Sequence, residues 1–278
     1  MTFVTRFAPS PTGYLHRGHA FSALTAFEAA RQAGGRFLLR IEDIDATRCR
    51  PQFEHAIYED LAWLGIDWER PVRRQSEHLD DYRAALERLR ERGLAYRCFR
   101  TRKEILDAIG QAPHGLPPPF TGAPPAPGEE ERRLAAGEPF AWRLSLAAAR
   151  AALGDQWAQL SFVEAGQGRL AADPSAAGDV VLARKDVGVA YHLAVVVDDA
   201  LQAITQVIRG RDLFEATPIQ RLLQMLLGLP EPTYRHHALL TGPDGRRYAK
   251  RDKAETLRAL RDAGMTPDTL RQALGPRG

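Results

Sequence analysis

Cysteine is nearly absent: the 278 residues hold only Cys49 and Cys98, which cannot build a disulfide framework and, being isolated, yield no metal motif by spacing alone. Long apolar runs are missing too. The longest uninterrupted one, Leu193 to Val197, is far too short to cross a bilayer, and no basic segment followed by an apolar stretch opens the chain as a secretory leader would. The expected location is the cytoplasm, with no membrane partner. Nor is there a large charge of one sign. A net charge of +3 permits a polyanionic partner without requiring one, and a bland basic surface reads equally well. The 44% hydrophobic content is ample for a buried core, as one large domain or one domain with a small insertion.

The sharpest chemical signal is at the front, Arg6-Phe-Ala-Pro-Ser-Pro-Thr-Gly-Tyr-Leu-His16-Arg-Gly-His19. Phe3, Val4 and Phe7 read as a strand, Pro9 to Gly13 as a turn, and Ala20 to Arg31 as a helix with Phe21, Leu24 and Phe27 on its apolar face. A helix N-terminus offers unpaired N–H groups and partial positive charge, so His16 and His19 at its lip suit the phosphates of a nucleotide. Gly18 would let a flat ring approach the backbone. Taken alone, two histidines near a turn also read as surface residues or metal ligands.

Downstream, Leu38, Leu39, Ile41 and Ile44 mark a second, buried parallel strand that ends in Glu42, Asp43 and Asp45. Ligands of open α/β sheets lie beyond the carboxyl ends of strands, where these acids would meet an ammonium group or an ATP-bound metal; Asp45 reads equally as a helix cap. Helices are expected over Gln52–Leu64, Leu79–Arg92 and Pro218–Leu227, with Pro218 suited to a first helical position. Trp63 and Trp68 read as packing residues. Gly110 to Gly128 is rich in proline and glycine, Phe140 to Leu144 reads as a strand, Ala147 to Leu153 reads as helical, and residues 154 to 177 carry little signal. From Gly178 the pattern predicts a strand, a turn at Asp186 to Gly188, and a buried segment running past Tyr191 to Asp198 and Asp199. Arg209 precedes a glycine and is placed to fork onto a carboxylate, and a hairpin turn at Pro243 to Gly245 leads into a basic loop containing Arg247 and Lys250.

These motifs, in this order, resemble the class I aminoacyl-tRNA synthetases of the glutamyl and glutaminyl branch. The Arg-Phe-Ala-Pro-Ser-Pro-Thr-Gly run precedes a His-x-Gly-His signature in which Arg17 replaces the usual isoleucine. Arg40-Ile-Glu-Asp-x-Asp, Trp63-Leu-Gly-Ile-Asp-Trp68 and Tyr191-x-Leu-Ala-Val-Val-x-Asp-Asp also fit, and Arg247-Tyr-Ala-Lys250-Arg251 is a degraded form of the second signature, Lys-Met-Ser-Lys-Ser. The resemblance implies a Rossmann-like α/β catalytic domain, residues 1–95 and 178–278, split by an inserted acceptor-binding-type subdomain, 96–177, with no anticodon-binding domain. It also implies catalytic roles for His16, His19 and Lys250. Glutamate would be held by Arg6, Ala8, Ser10, Glu42, Tyr191 and Arg209, and ATP by Pro9, His16, Gly18, His19, Arg247 and Lys250, with Mg²⁺ arriving on ATP.

Members of this branch often begin a zinc site with Cys-x-Cys, completed later by Tyr-x-x-x-Cys. Here Cys98 stands alone, with Arg100, Phe120 and Pro124 at the other positions, so a metal-free version of the insertion is expected. The chain length after Lys250 resembles the shortened paralogues that place glutamate on queuosine in the anticodon of tRNA(Asp). A monomer acting on L-glutamate, ATP and that tRNA is the expectation. The alternatives are a truncated synthetase charging a tRNA 3′ end, an inactive RNA-binding paralogue, and a nucleotidylyltransferase with another acid substrate.

Overall fold

Parallel strands need cover on both faces, and the order of elements supplies it. The computed structural model describes residues 2–101, 104–105, 119–184, 188–240 and 255–275. In its first half β1 (Val4–Phe7), α1 (Arg17–Gln32), β2 (Arg36–Ile41), α2 (Pro51–Trp63), β3 (Glu69–Arg74) and α3 (Leu79–Glu91) alternate. The three strands pair in parallel in the order β1-β2-β3. Then come β4 (Ala95–Cys98), α4 (Pro127–Ala135), β5 (Ala141–Leu144), α5 (Leu146–Leu153), β6 (Ser161–Glu164), β7 (Gly168–Ala171) and β8 (Val181–Arg184). The last part holds α6 (Tyr191–Leu201), β9 (Gln206–Gly210), α7 (Thr217–Leu227), β10 (Thr233–His237), α8 (Leu257–Asp262) and α9 (Pro267–Ala273).

β9 and β10 are parallel, and β6 adds to β10 with β7 antiparallel beyond it. The edge of β9 abuts β1: the Thr205 N–H donates to the Val4 carbonyl at 2.9 Å, and the Val4 N–H donates to Thr205 Oγ1 at 2.8 Å. Strand order across this seam is therefore β3-β2-β1, then β9-β10, reversing direction of build between β1 and β9. Such a reversal opens a crevice at the carboxyl ends of the two central strands. A separate antiparallel sheet, β4-β5-β8, draws its strands from residues 95–98, 141–144 and 181–184, while the hairpin of β6 and β7 joins the sheet of β9 and β10.

Helices cover both faces. One apolar cluster gathers Phe21 and Leu24 of α1, Ile57 and Leu61 of α2, Leu257 of α8 and Leu270 of α9 over β2. The other gathers Tyr82 and Leu89 of α3, Leu193 and Val196 of α6, and Leu222 and Leu226 of α7 with Phe162 of β6. Among the described residues no helix is long and apolar enough to cross a membrane. The buried segment after Tyr191 is a helix, α6, so apolar that Leu193 to Val197 are all buried. α1 begins three residues before the expected Ala20 because His16 is its N-cap, a role that the usual Ser, Thr, Asp or Asn signal does not announce.

One polar cluster runs through this core. Arg40 on β2 is fully buried, and its guanidinium donates to Asp199 Oδ1 at 2.8 Å, to Gln202 at 2.8 Å and to Glu42 at 3.3 Å, with Asp198 at 3.7 Å. Arg6 on β1 reaches the same Asp199 at 2.9 Å, and Asp198 takes bonds from Arg73 Nε at 2.7 Å, Gln75 at 2.7 Å and the Tyr82 hydroxyl at 2.8 Å. Burial alone would raise the Asp199 carboxyl, but Arg6 and Arg40 outweigh it and hold it below its usual value. For Arg40, burial favours the neutral form, yet Asp199, Glu42 and Asp198 raise its pKa. Three arginines balance three carboxylates, tying β1, β2, β3 and α6 together.

Removing one partner from a buried ionic cluster strands the others without water. Arg40→Leu is expected to cost about 3–5 kcal/mol of unfolding free energy, measured by urea denaturation at neutral pH. A loss below about 1 kcal/mol, the worth of an exposed pair, would contradict the assignment.

Candidate active site

A cavity of about 550 Å³ opens at the carboxyl ends of β1 and β9. The turn after β1 supplies Ala8, Pro9 and Ser10, the start of α1 supplies His16, Gly18 and His19, Glu42 directly follows β2, α6 begins with Tyr191, and β1 and β9 contribute Arg6 and Arg209. Every residue that the resemblance assigns to the site and that lies within the described residues lines this one cavity, whereas Asp43, which accepts from Ser76, and Asp45, which accepts from Thr47 and Arg48, do not line it. Arg247 and Lys250, with the hairpin turn at Pro243 to Gly245, lie outside the described residues. Phe21, Ser22, Ile208, Gly210, Asp212, Leu213, His237, Leu239 and Leu240 also line it, and the sequence pattern marks none of them as a site residue. For His237 a signal existed, in the paired histidines after Tyr234, but nothing in the pattern tells which of two adjacent strand residues faces the crevice.

The two signature histidines cap their own helix. His16 Nδ1 accepts the Gly18 N–H at 3.1 Å, and His19 Nδ1 accepts the His16 N–H at 3.2 Å, while the rings lie 3.8 Å apart between centroids. An accepting Nδ1 carries no proton, so in each neutral ring the proton sits on Nε2. Gly18 has a direct reason to be glycine: a Cβ there would stand 3.0 Å from His16 Cε1 and 3.1 Å from Nδ1, so the capping ring would have to give by a few tenths of an ångström. The N-terminus of a sixteen-residue helix thus faces the cavity, lined by imidazoles instead of acids.

The charged walls are unlike one another. Burial raises the pKa of Glu42 above the usual carboxylate value, opposed by Arg40 and Arg6, and a cation in the cavity would favour its charged form. Arg6 is committed through one N–H each of Nε and Nη2 to Asp199 at 2.9 and 3.4 Å, which leaves the two N–H groups of Nη1 and the second of Nη2 as donors. Arg209 is different: it is 6% exposed and bonds to His236 Nε2 at 3.0 Å, Gln220 Oε1 at 2.7 Å and Thr217 Oγ1 at 2.8 Å, all neutral acceptors. Among the described residues no carboxylate touches it. Burial raises the pKa of the Tyr191 phenol, keeping it a hydroxyl donor beside these charges. At His237, Nδ1 faces the Ala238 carbonyl at 2.9 Å and Nε2 faces Ser22 Oγ at 2.8 Å, and burial lowers its pKa. Gly210 permits the turn that brings Asp212 back to the cavity, since a Cβ there would lie 2.5 Å from Asp212 Oδ1.

Cys98, Arg100, Phe120 and Pro124 line a second cavity, of about 460 Å³. They come together in space, yet their donor set does not fit zinc. One thiol is joined by a cation and by two side chains that carry no ligand atom. The segment is held instead by Asp179, 3% exposed, whose carboxylate accepts the Tyr96 hydroxyl at 2.8 Å, the Gly122 N–H at 2.8 Å and the Leu146 N–H at 2.9 Å.

Comparison with known proteins places this geometry in a family. A model of the catalytic domain of class I tRNA synthetases (E and Q) matches residues 2–278. The chain is 47% identical to a Rhodobacter capsulatus glutamyl-Q tRNA(Asp) synthetase over 98% of its own length and 99% of that protein's, and 45% identical to one from Symbiobacterium thermophilum over 95% and 83%. A glutamate--tRNA ligase of Aquifex aeolicus is 40% identical over 96% of the chain, which spans 55% of that protein. In three dimensions the glutamate-tRNA synthetase of Elizabethkingia anophelis superposes with a TM-score of 0.83 at 25% identity, covering 99% of this chain and 61% of that one. The chain belongs to the class I tRNA synthetases of the glutamate and glutamine type and, among them, to the glutamyl-Q tRNA(Asp) synthetases.

Proposed function

We propose that the protein, acting in the cytoplasm as a monomer, activates L-glutamate with ATP and transfers the glutamyl group to the queuosine base in the anticodon of tRNA(Asp). The observation that carries this reading is the charge pattern of the cavity at the β1 and β9 crevice. A buried arginine with no acidic partner among the described residues, a carboxylate and a helix N-terminus converge there, matching a dicarboxylic amino acid beside a nucleotide.

In this reading Glu42 takes the amino group, Arg209 pairs bidentately with a carboxylate, Arg6 N–H groups not engaged by Asp199 meet the second, and Tyr191 donates its hydroxyl. Ala8 and Ser10 bound the amino acid on the β1 side, and Pro9 packs at the nucleotide. His16 and His19, with the α1 N-terminus exposed by Gly18, face the phosphates, as do Arg247 and Lys250 of the basic loop. Mg²⁺ enters with ATP as part of the substrate and supplies charge neutralisation of the phosphates. The glutamate α-carboxylate oxygen attacks the α-phosphorus, the bond to pyrophosphate breaks, and a hydroxyl of the queuosine ring then attacks the acyl carbon as AMP leaves. No enzyme nucleophile is needed; alignment and charge stabilisation carry the rate.

Two outcomes follow. ATP–pyrophosphate exchange is expected with L-glutamate and at least ~100-fold less with L-glutamine, whose amide leaves Arg209 unpaired. Lys250→Ala is expected to lower kcat by about 100-fold while changing the KM for glutamate little, since its charge is needed as the phosphate charge shifts. Comparable exchange with glutamine, or an unchanged kcat in the variant, would count against the reading.

The acceptor separates this proposal from a synthetase that charges a 3′ end, a reading that the 40% identity to a glutamate--tRNA ligase keeps in play. An unstacked anticodon base can enter a pocket as single-stranded RNA recognition requires. Labelled glutamate is therefore expected on queuosine-containing tRNA(Asp) even when its 3′ end has been truncated. Labelling that disappears with the 3′ end would return the protein to the ordinary synthetases.

A further inference from the structure

Arg209 is held by a chain of groups that begins far from the signature motifs. Its Nε–H donates to His236 Nε2 at 3.0 Å, so that nitrogen must be bare and the ring proton must sit on Nδ1. Nδ1 lies 2.8 Å from Glu164 Oε2, and the other carboxylate oxygen, Oε1, accepts the His236 backbone N–H at 2.7 Å. Both side chains are 2% exposed, and the imidazole is fixed in plane by Tyr234, stacked at 6.1 Å, and Phe214, edge-on at 5.0 Å. The opposite tautomer would set Nε2–H against the Arg209 Nε–H, a contact of two donors. A carboxylate at position 164 forbids it, because it can only accept.

The arrangement also decides how much of the guanidinium remains for a ligand. Of the five N–H groups an arginine carries, one goes to His236, one to Gln220 and one to Thr217. Two are left on a side chain that lines the cavity, the number a bidentate carboxylate uses. Had Glu164 bonded Arg209 directly, it would occupy those donors and compete with an acidic substrate. Set one imidazole away, it offsets the buried positive charge and leaves the fork open.

We propose that Glu164 and His236 are positioning residues that orient Arg209 for a carboxylate without touching substrate, so that preference for an acidic amino acid depends on β6, outside every signature motif. This deepens the proposed function and rests on its assignment of Arg209 to a substrate carboxylate. Glu164→Gln keeps the shape but presents an amide, which cannot accept from both Nδ1 and the His236 N–H. His236→Phe keeps the ring and loses the acceptor for Arg209. His236→Gln restores an acceptor.

The test is amino-acid-dependent ATP–pyrophosphate exchange for the three variants and the wild type, with thermal melts to confirm folding. Glu164→Gln and His236→Phe are expected to raise the KM for glutamate roughly 10- to 100-fold, to leave the KM for ATP within about twofold, and to narrow the preference for glutamate over glutamine. His236→Gln is expected to recover part of the loss, and it decides the matter if Glu164→Gln fails to fold. A glutamate KM that stays at the wild-type value in folded variants, or glutamate and ATP KM values that rise together, overturns the relay alone. A wild type that activates no amino acid overturns the proposed function, and the relay with it.

Discussion

The fully buried guanidinium of Arg40 is the interaction on which the site depends. A charge placed in the middle of a β-strand, under a helix layer, is unfavourable unless its partners are held in place, and here they are the paired acids in the last turns of α6. Replacement by a well-packed apolar set would serve stability as well or better. The cluster's product is position. Arg6 and Glu42 sit at the cavity wall because the same Asp199 and Arg40 grip them from below, at 2.9 Å and 3.3 Å. Cavity charge and core charge are thus one network, in which opposite signs on neighbouring strands cancel in the interior.

Arg209 stands outside that network: among the described residues it bonds only neutral acceptors, and on this the proposed preference for a carboxylate rests. Its neighbours Thr217, Gln220 and His236 come from the start of α7 and from β10, elements joined by a short connection, so the guanidinium is seated on a compact unit packed against β9. The side proposed for the nucleotide is built from backbone: a helix N-terminus whose own capping is done by the signature histidines.

Much of this could be read in the sequence, and the limits have physical causes. Residues at the carboxyl ends of strands, such as Glu42 and Arg209, are readable because hydrophobic runs end visibly and polar residues follow. α2, α3 and α7 match their expected spans within a residue or so because apolar periodicity and a proline start or glycine stop coincide there. In the sequence Arg40 is legible only as the first residue of its motif, a single arginine in an apolar run. Its role depends on Asp198 and Asp199, some 160 residues away, and pairings across that separation leave no local pattern. Glu164 was hidden for the same reason, in a stretch with little periodic signal. The run after Tyr191 carries three consecutive valines, so composition alone could not reveal that it is helical. In the insertion, loss of the cysteine pattern could be read directly; Asp179 holding residue 122 could not, since one carboxylate accepting two backbone N–H groups and a tyrosine has no sequence signature.

The central claim is that Arg209 and Glu42 divide the recognition of glutamate, one taking a carboxylate and the other the amino group. The most direct measurement is a crystal structure with a non-hydrolysable glutamyl-adenylate analogue. The account predicts the side-chain carboxylate within hydrogen-bond distance of both remaining Arg209 donors, the ammonium on Glu42, and the adenylate phosphate at the N-terminus of α1 beside His16 and His19. An analogue whose carboxylate lies away from Arg209, or whose amino group does not meet Glu42, would contradict it.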